Sequence, residues 1–199
     1  MASPELRTEI LKGAEARPHL EAIAALRMQV FAEWPYLYDG TLAYETEYLE
    51  FYLAEPASVI ALARDGNAVI GASTAIPMEA AETEMQAPWL ARGDRPGDIL
   101  YFGESVVLPE YRGYGLGRRF FEIREAHARG LGRPRCCFCA VQRPDDHPAR
   151  PPGHVPNDAF WQRLGYQRMD DMVCHFGWTD IGDAEETQKP LVFWHKRLD

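Results

Sequence analysis

The sequence predicts a single domain of the mixed α/β class, in which helices cover both faces of one central β-sheet. Its 199 residues suit one domain, and 46% of them are apolar, which is enough for a sizeable core. The hydrophobic periodicity runs in the order helices, hairpin, strand, helix, strand, helix, strands. No internal repeat or long linker divides the chain, so we expect one domain over residues 1–199.

The first quarter of the chain is predicted to be helical. Apolar residues have the spacing of one helix face at Ala22, Ile23, Leu26, Val30 and Phe31. This spacing predicts a helix over residues 19–33. Thr41 is a suitable N-cap for a second helix that reaches residue 54. We therefore assign residues 1–56 to a helical segment.

The sheet is predicted to begin with a β-hairpin, because apolar runs at 58–64 and 68–76 flank Asp65-Gly-Asn67. Residues 79–97 form a polar insertion with a short helical piece. Residues 99–108 are mostly apolar, as in a largely buried strand. The predicted core spans residues 57–178 and begins with this hairpin.

The second half of the core alternates helices and strands. A helix is expected over residues 115–131 and a second central strand over 133–142. A proline-rich loop follows, and a short helix begins at Asn157, a natural N-cap, and stops at Gly165. Residues 169–178 and 191–198 are predicted strands, and residues 179–199 contain the closing strand.

The net charge of −9 argues against a nucleic-acid-binding surface. Residues 111–135 nevertheless hold seven arginines against two acids, which favours a small polyanionic ligand at this place. No apolar run is long enough to cross a membrane, and the N-terminus does not resemble a signal peptide. We therefore expect a cytoplasmic protein without a membrane or nucleic-acid partner.

Three glycines, Gly113, Gly115 and Gly117, follow the strand at 99–108 and open the next helix. Such a turn lets the backbone approach a ligand closely, and the helix N-terminus offers unpaired N–H groups. Arginines at positions 112, 118 and 119 add positive charge. The turn therefore predicts a site for a pyrophosphate group.

Two common phosphate-binding turns do not fit this segment. A P-loop needs Gly-Lys-Ser/Thr, and a dinucleotide turn needs its third glycine one position later. The remaining pattern, Arg/Gln-x-x-Gly-x-Gly/Ala, matches Arg112-Gly-Tyr-Gly-Leu-Gly117 after Pro109-Glu-Tyr111. This segment resembles the GNAT superfamily of N-acetyltransferases. Roughly forty residues on, Asn157-Asp-Ala-Phe-Trp-Gln-Arg-Leu-Gly-Tyr166 resembles the C-terminal signature of the same superfamily.

The resemblance covers residues 58–178 and implies a GNAT-like fold whose two central strands diverge, with acetyl-CoA as the acyl donor. In that family the glycine turn binds the pyrophosphate, and the preceding strand pairs with the pantetheine arm and polarises the thioester through a backbone N–H. The implied cofactor-binding residues are Val106, Val107, Leu108, Arg112, Gly113, Tyr114, Gly115, Leu116, Gly117, Arg118, Asn157 and Phe160.

Glu104 is the predicted catalytic base. It is the only acid between residues 99 and 108, and a carboxylate is costly to bury in an apolar strand without a use. The resemblance places the base that takes a proton from the acceptor amine on this strand. The alternative is a structural glutamate at an edge or in a hydrogen bond.

The general acid is harder to assign. Many relatives carry a tyrosine in the last helix, where this chain has Trp161, and an indole cannot supply that proton. Tyr166 is a candidate substitute, although a tyrosine in this position more often fills the core. The CoA thiolate is also a fair leaving group without help, because its thiol has a pKa near that of cysteine, about 8.5.

The predicted acceptor is a small amine, an amino-acid-like molecule or a peptide amine. Aromatic and acidic residues crowd positions 31–52, and in the resembling family this region and the insertion at 79–97 wall the acceptor site. Core packing with a solvated acidic face is the competing interpretation.

Two alternative functions are a non-catalytic acyl-CoA sensor and a transferase with a different acyl donor. Relatives commonly form homodimers, and the many aromatics leave room for one.

No metal site is expected. Asp145, Asp146, His147 and His154 lie in a loop without the regular spacing of metal ligands. Cys136, Cys137 and Cys139 alternate across a strand and cannot converge, so they are interpreted as buried, reduced thiols. Cys174 and His175 face opposite ways on a strand, which argues against a thiol nucleophile.

Overall fold

The computed structural model describes residues 5–199 as one seven-stranded sheet with helices on both faces. The strand order is β1-β2-β3-β4-β5-β7-β6. The strands are β1 (Leu6–Leu11), β2 (Val59–Asp65), β3 (Ala68–Pro77), β4 (Ile99–Val107), β5 (Arg135–Val141), β6 (Gln167–Thr179) and β7 (Glu186–Arg197). The predicted mixed α/β class is confirmed.

Five α-helices pack on this sheet. They are α1 (Leu20–Phe31), α2 (Leu42–Ala54), α3 (Thr83–Ala91), α4 (Leu116–Gly130) and α5 (Asp158–Arg163). Residues of α1, α2 and α3 share one core cluster that contains Ile23, Leu49 and Trp89. Residues of α4 pack in separate clusters, one of which also holds Phe160 of α5, so the two groups of helices lie on opposite faces.

The first helices match their sequence signals closely. The α2 helix begins after Thr41, whose hydroxyl accepts a hydrogen bond from the Tyr44 amide at 3.3 Å. The insertion at 79–97 contains α3, which buries Met85 and Trp89. The assignment of residues 1–56 to helices alone is wrong, because β1 pairs antiparallel with β2 from Leu6 opposite Asp65. The predicted hairpin leaves the outer edge of β2 without a partner, and β1 pairs with this edge.

The centre of the sheet opens between β4 and β5. These strands are parallel and pair only where Ile99–Tyr101 faces Arg135–Cys137. Beyond this point β4 pairs only with β3 and β5 only with β7. The predicted divergence of the two central strands is therefore confirmed. Within residues 5–199 no helix is both long and apolar enough to cross a membrane.

Candidate active site

The glycine turn at the end of β4 adopts a conformation that requires glycine. Gly113 has φ +85° and Gly115 has φ +84°, and both angles lie in the left-handed region that side chains disfavour. A Cβ atom at either position would meet nothing within 4 Å, so the turn is open on this side. The α4 helix begins at Leu116, directly after Gly115. Its first N–H groups have no partners within the helix, as an anion site requires.

The positive charge around the turn comes from fewer arginines than the sequence indicated. Arg112 donates from Nε to the Val107 carbonyl at 3.0 Å and pairs with Glu33 at 2.8 Å. Arg118 is exposed at the start of α4. Arg124 is buried, and burial lowers its pKa to about 10. Of the seven arginines in residues 111–135, Arg124 therefore adds no charge to the turn, since it points into the protein.

The edge of β4 that faces the gap offers one backbone amide next to the turn. The Leu108 amide donates to the Ile70 carbonyl, and the Leu108 carbonyl accepts from the Tyr111 amide, both at 3.0 Å. The Leu108 amide is therefore already bonded and unavailable to a pantetheine arm, whereas its carbonyl oxygen keeps a second lone pair. Because bonded and non-bonded pairs alternate along antiparallel strands, the Val107 amide points away from β3 into the gap, and the Val106 backbone is turned toward β3. The Val106 side chain is fully buried.

The second sequence motif lies beside the glycine turn. A Cβ atom at Gly117 would lie 3.5 Å from the ring of Phe160, which in turn packs edge-on against Phe121 with ring centroids 5.9 Å apart. Asn157 is the N-cap residue of α5, as predicted, but it is exposed and its side chain makes no capping hydrogen bond. Its backbone is already helical, with φ −75° and ψ −3°, and the side chain is left free for other contacts. Tyr114 is 57% exposed at the turn itself.

An aromatic cavity lies at the gap, lined by Glu104 of β4 and Cys139 of β5 beyond the last paired residues of these strands. Its volume is about 130 Å³, it is half open to solvent, and α1, α2, α3 and the strands β3 to β7 contribute to its lining. Six of its aromatic residues come from the region of α2 and the segment before it: Tyr36, Tyr38, Tyr44, Tyr48, Phe51 and Tyr52. Tyr101 of β4 and Trp178 of β6 complete the opposite wall. Cys139, half-buried on β5, also lines the cavity, whereas the other three cysteines are buried.

Glu104 projects into this cavity because β4 contains a bulge. Ser105 faces Ser73 and Phe102 faces Ala75, so the single residue Thr74 stands opposite both Gly103 and Glu104. The bulge puts Glu104 in the same cavity as Tyr101, three positions earlier, whereas regular alternation would place them on opposite faces. Only 2% of the Glu104 side chain is exposed.

Arg124 holds this bulge in place from the other face of the sheet. Its guanidinium donates to the Glu104 carbonyl at 3.2 Å and to the Ser105 hydroxyl at 2.8 Å. It also stacks 4.1 Å from the ring centroid of Phe102. A buried arginine is costly without such partners, so its contacts indicate a role in fixing the position of Glu104.

Arg27 is a site residue that sequence reasoning missed. Its Nη1 lies 2.6 Å from Oε2 of Glu104, and its Nε donates to the buried carboxylate of Glu45. The rings of Phe31 and Tyr48 flank its guanidinium, with centroids at 5.0 and 4.3 Å. Burial acts to lower the pKa of Arg27, but the charges of Glu104 and Glu45 hold it above its usual value. No local signal in the sequence marks Arg27 for this role, because its partners lie in other elements of the fold.

Tyr166 does not share the cavity with Glu104. It is 1% exposed and packs against Phe121 and Phe138 on the α4 face of the sheet. Its hydroxyl donates to Glu125 at 3.2 Å, and burial, together with nearby Cys136 and Glu125, raises its pKa. These surroundings argue against Tyr166 as the general acid and favour the core-filling alternative.

Trp161, which stands where relatives carry a tyrosine, packs between Phe138 and Trp194 with ring centroids 5.0 and 5.1 Å away. Neither Trp161 nor Tyr166 is among the described residues that line the cavity.

The family model for the acetyltransferase (GNAT) family matches residues 23–166, which include the glycine turn, the bulge and α5. The chain belongs to the GNAT family. It is therefore an acetyl-CoA-dependent N-acetyltransferase, and the open glycine turn beside the gap fits a coenzyme A ester. No curated protein sequence is similar enough to count as a match.

Solved structures show that this GNAT protein shares its fold with distant acetyltransferases. An N-acetyltransferase from Staphylococcus aureus Mu50 is 15% identical, with a TM-score of 0.60 over 97% of this chain and 99% of that one. Ribosomal-protein-alanine N-acetyltransferase from Brucella melitensis is 16% identical, with a TM-score of 0.61 over 96% and 99%. The yncA protein of Salmonella typhimurium, solved with its cofactor acetyl-CoA, is 13% identical, with a TM-score of 0.55 over 96% and 94%.

Proposed function

We propose that this GNAT protein transfers the acetyl group of acetyl-CoA to a primary amine of a small molecule or peptide, with Glu104 as the base. One observation carries the proposal: the buried Glu104 carboxylate lies in an aromatic cavity at the gap between β4 and β5. Cys139 of β5 lines the same cavity, so the cavity reaches the place where the two strands part.

The donor side of the proposed site is the glycine turn and the free edge of β4. Bound there, acetyl-CoA supplies an activated acyl carbon. The amides of residues 113–117 hold the pyrophosphate, and Arg112 and Arg118 balance its charge. Asn157 and Phe160 border this site from α5. The Val107 amide, which points into the gap, is the donor best placed to polarise the thioester oxygen.

Glu104 removes a proton from the acceptor ammonium, directly or through one water molecule. The neutral amine then attacks the thioester carbon, so that a C–N bond forms and the C–S bond breaks, and the nitrogen releases its second proton to solvent. Arg27 supplies the counter-charge that offsets the burial of Glu104. The CoA thiolate is a fair leaving group, because its thiol has a pKa of about 8.5, and it takes a proton from solvent after it leaves. No dedicated proton donor is needed, so we assign none.

We also propose the cytoplasm as the site of action. The four cysteines are free, and free thiols are typical of a reducing compartment. Detection of the protein in fractionated cells would test this.

The function is tested by the release of free thiol from acetyl-CoA with a panel of primary amines. Glu104→Gln is expected to lower kcat by about a hundredfold or more while acetyl-CoA binding, measured by calorimetry, is unchanged. Glu47→Gln is the matched control, because Glu47 is an exposed carboxylate on α2 and does not line the cavity. A Glu104→Gln enzyme within about threefold of wild type would remove Glu104 from the mechanism. Binding without turnover on any amine would instead favour an acyl-CoA sensor.

A further inference from the structure

The cavity contains carboxylate oxygens that lack hydrogen-bond donors. In the described part of the chain, Oε1 of Glu45 and Oε1 of Glu104 receive no hydrogen bond. The other oxygen of each carboxylate contacts Arg27, and Oε2 of Glu104 lies 2.6 Å from its Nη1. Buried acceptors without donors are unfavourable. An ammonium group carries three donors and no acceptor, so it matches what these oxygens lack.

The charges that line the cavity exclude an acceptor with a carboxylate. Glu45, Glu82 and Glu104 are its acids, and among the described lining residues Arg27 is the sole cation, so the lining carries a net charge of −2. The Arg27 guanidinium is already directed at two carboxylates and enclosed by Phe31 and Tyr48. A carboxylate on the acceptor would meet like charge without a free partner.

The walls and size of the cavity favour a flat apolar group on the acceptor. Aromatic rings from α2, β4 and β6 surround a volume of about 130 Å³. A closed cavity of about 150 Å³ binds benzene, and this cavity is of similar size but half open to solvent, so that a ring need not be fully enclosed. The rings also attract a cation by their π-faces. A phenyl-sized group therefore fits, and its ammonium remains within the acidic part of the cavity.

Building on the proposed function, we infer that the acceptor is a primary amine with a phenyl-sized apolar group and no carboxylate. The unpartnered oxygens of Glu45 and Glu104 select the ammonium, and the negative lining rejects the carboxylate. Free amino acids, which the sequence had left among the candidate acceptors, are excluded by the same lining.

Three related amines separate charge from shape in the thiol-release assay. Phenethylamine has the ring and ammonium alone, phenylalanine adds a carboxylate, and phenylalaninamide adds an uncharged group of similar size. We expect kcat/KM for phenethylamine to exceed that for phenylalanine by at least about a hundredfold. Phenylalaninamide is expected to lie much closer to phenethylamine than to phenylalanine. Ethylamine, which lacks the ring, should be lower than phenethylamine by roughly ten- to a hundredfold.

A pair of variants tests the contribution of the acidic lining away from the base. Glu82, the residue before α3, lines the cavity, and burial, with a smaller contribution from the charge of Glu84, raises its pKa; Glu84 itself is exposed in the first turn of α3 and lies outside the cavity. Glu82→Gln should raise KM for phenethylamine and narrow the preference over phenylalanine by several-fold. Glu84→Gln should change neither value.

The inference is overturned if phenylalanine is used within threefold of phenylalaninamide, if ethylamine equals phenethylamine, or if the two glutamine variants behave alike. Rapid turnover of peptides with small N-terminal residues, above that of phenethylamine, would leave the acetyltransferase function intact and overturn the inference alone. If no amine releases thiol, the proposed function fails, and calorimetric binding of phenethylamine against phenylalanine to the CoA-bound protein still decides the inference.

Discussion

Arg27→Met should destabilise the protein strongly, because within residues 5–199 Arg27 is the one cation that contacts both buried carboxylates, Glu45 and Glu104. The side chains of Glu45 and Glu104 are 0% and 2% exposed. Removing one partner of a buried ion pair costs about 3–5 kcal/mol, since the remaining charge has no counter-charge. A domain of this size loses about 2–4 °C in Tm per kcal/mol, so we expect a fall of roughly 6–20 °C. Urea unfolding followed by circular dichroism measures the free-energy change.

The Arg17–Glu50 pair offers a matched control for this variant. It joins the 3-10 helix directly before α1 to α2, at 2.5 Å, but its side chains are 58% and 40% exposed. Arg17→Met should therefore change the free energy of unfolding by no more than about 1 kcal/mol. A triple variant, Arg27→Met with Glu45→Gln and Glu104→Gln, removes the stranded charges and should regain at least half of the loss. A loss below about 1 kcal/mol for Arg27→Met, or a triple variant no more stable than the single one, would refute this account of the buried cluster.

Further predictions concern the β4 bulge, the glycine turn and Asp180, which directly follows β6. Gly103→Ala would bring a Cβ atom within 2.6 Å of the Thr74 hydroxyl and closer still to Tyr52. We therefore expect the free energy of unfolding in urea to fall by about 1–3 kcal/mol, and kcat to fall as well. An unchanged kcat would show that the bulge tolerates movement. Gly115→Ala forces alanine to φ +84° and should weaken calorimetric acetyl-CoA binding by about fivefold or more, with equal affinity arguing against a turn that holds the pyrophosphate. Asp180→Asn should cost roughly 1.5–3 kcal/mol at pH 7. Burial acts to raise the pKa of Asp180, but hydrogen bonds from Arg143 and Lys189 lower it below 3.8 overall. The stabilisation of the fold by Asp180 is therefore present in full above pH 3.8 and is lost as the pH falls through the lowered pKa. Unfolding curves at pH 7 and pH 3 should therefore show a smaller difference between variant and wild type at pH 3.

Local signals explain most of what the sequence predicted correctly. The hairpin around Asp65-Gly-Asn67, the strand at 99–108 and the glycine turn depend on neighbouring residues, and the structure contains all three. The resemblance added the divergence of β4 and β5. By contrast, β1 is a short edge strand whose pairing partners lie about fifty to sixty residues away, and no local signal predicts that pairing.

The site was harder to predict, because its geometry depends on distant residues. Regular alternation along β4 would place Glu104 and Tyr101 on opposite faces, and only the bulge opposite Thr74 brings them together. The ion pairs of Arg27 join α1 to α2 and to β4, over 18 positions in the first case. An arginine within an amphipathic helix carries no mark of such partners. A buried arginine is visible only once the helices are packed.

The gap between β4 and β5 gives the protein two strand edges inside its own sheet. Outer edges of natural sheets are commonly protected against pairing with other chains by charges, prolines or short length. An internal edge that must receive a ligand has to keep its backbone groups open, so it cannot be protected in that way. The donor-free protein should therefore self-associate more readily on storage than the same protein with coenzyme A. The unpaired backbone that makes room for the donor is also the part of the sheet most exposed to mispairing.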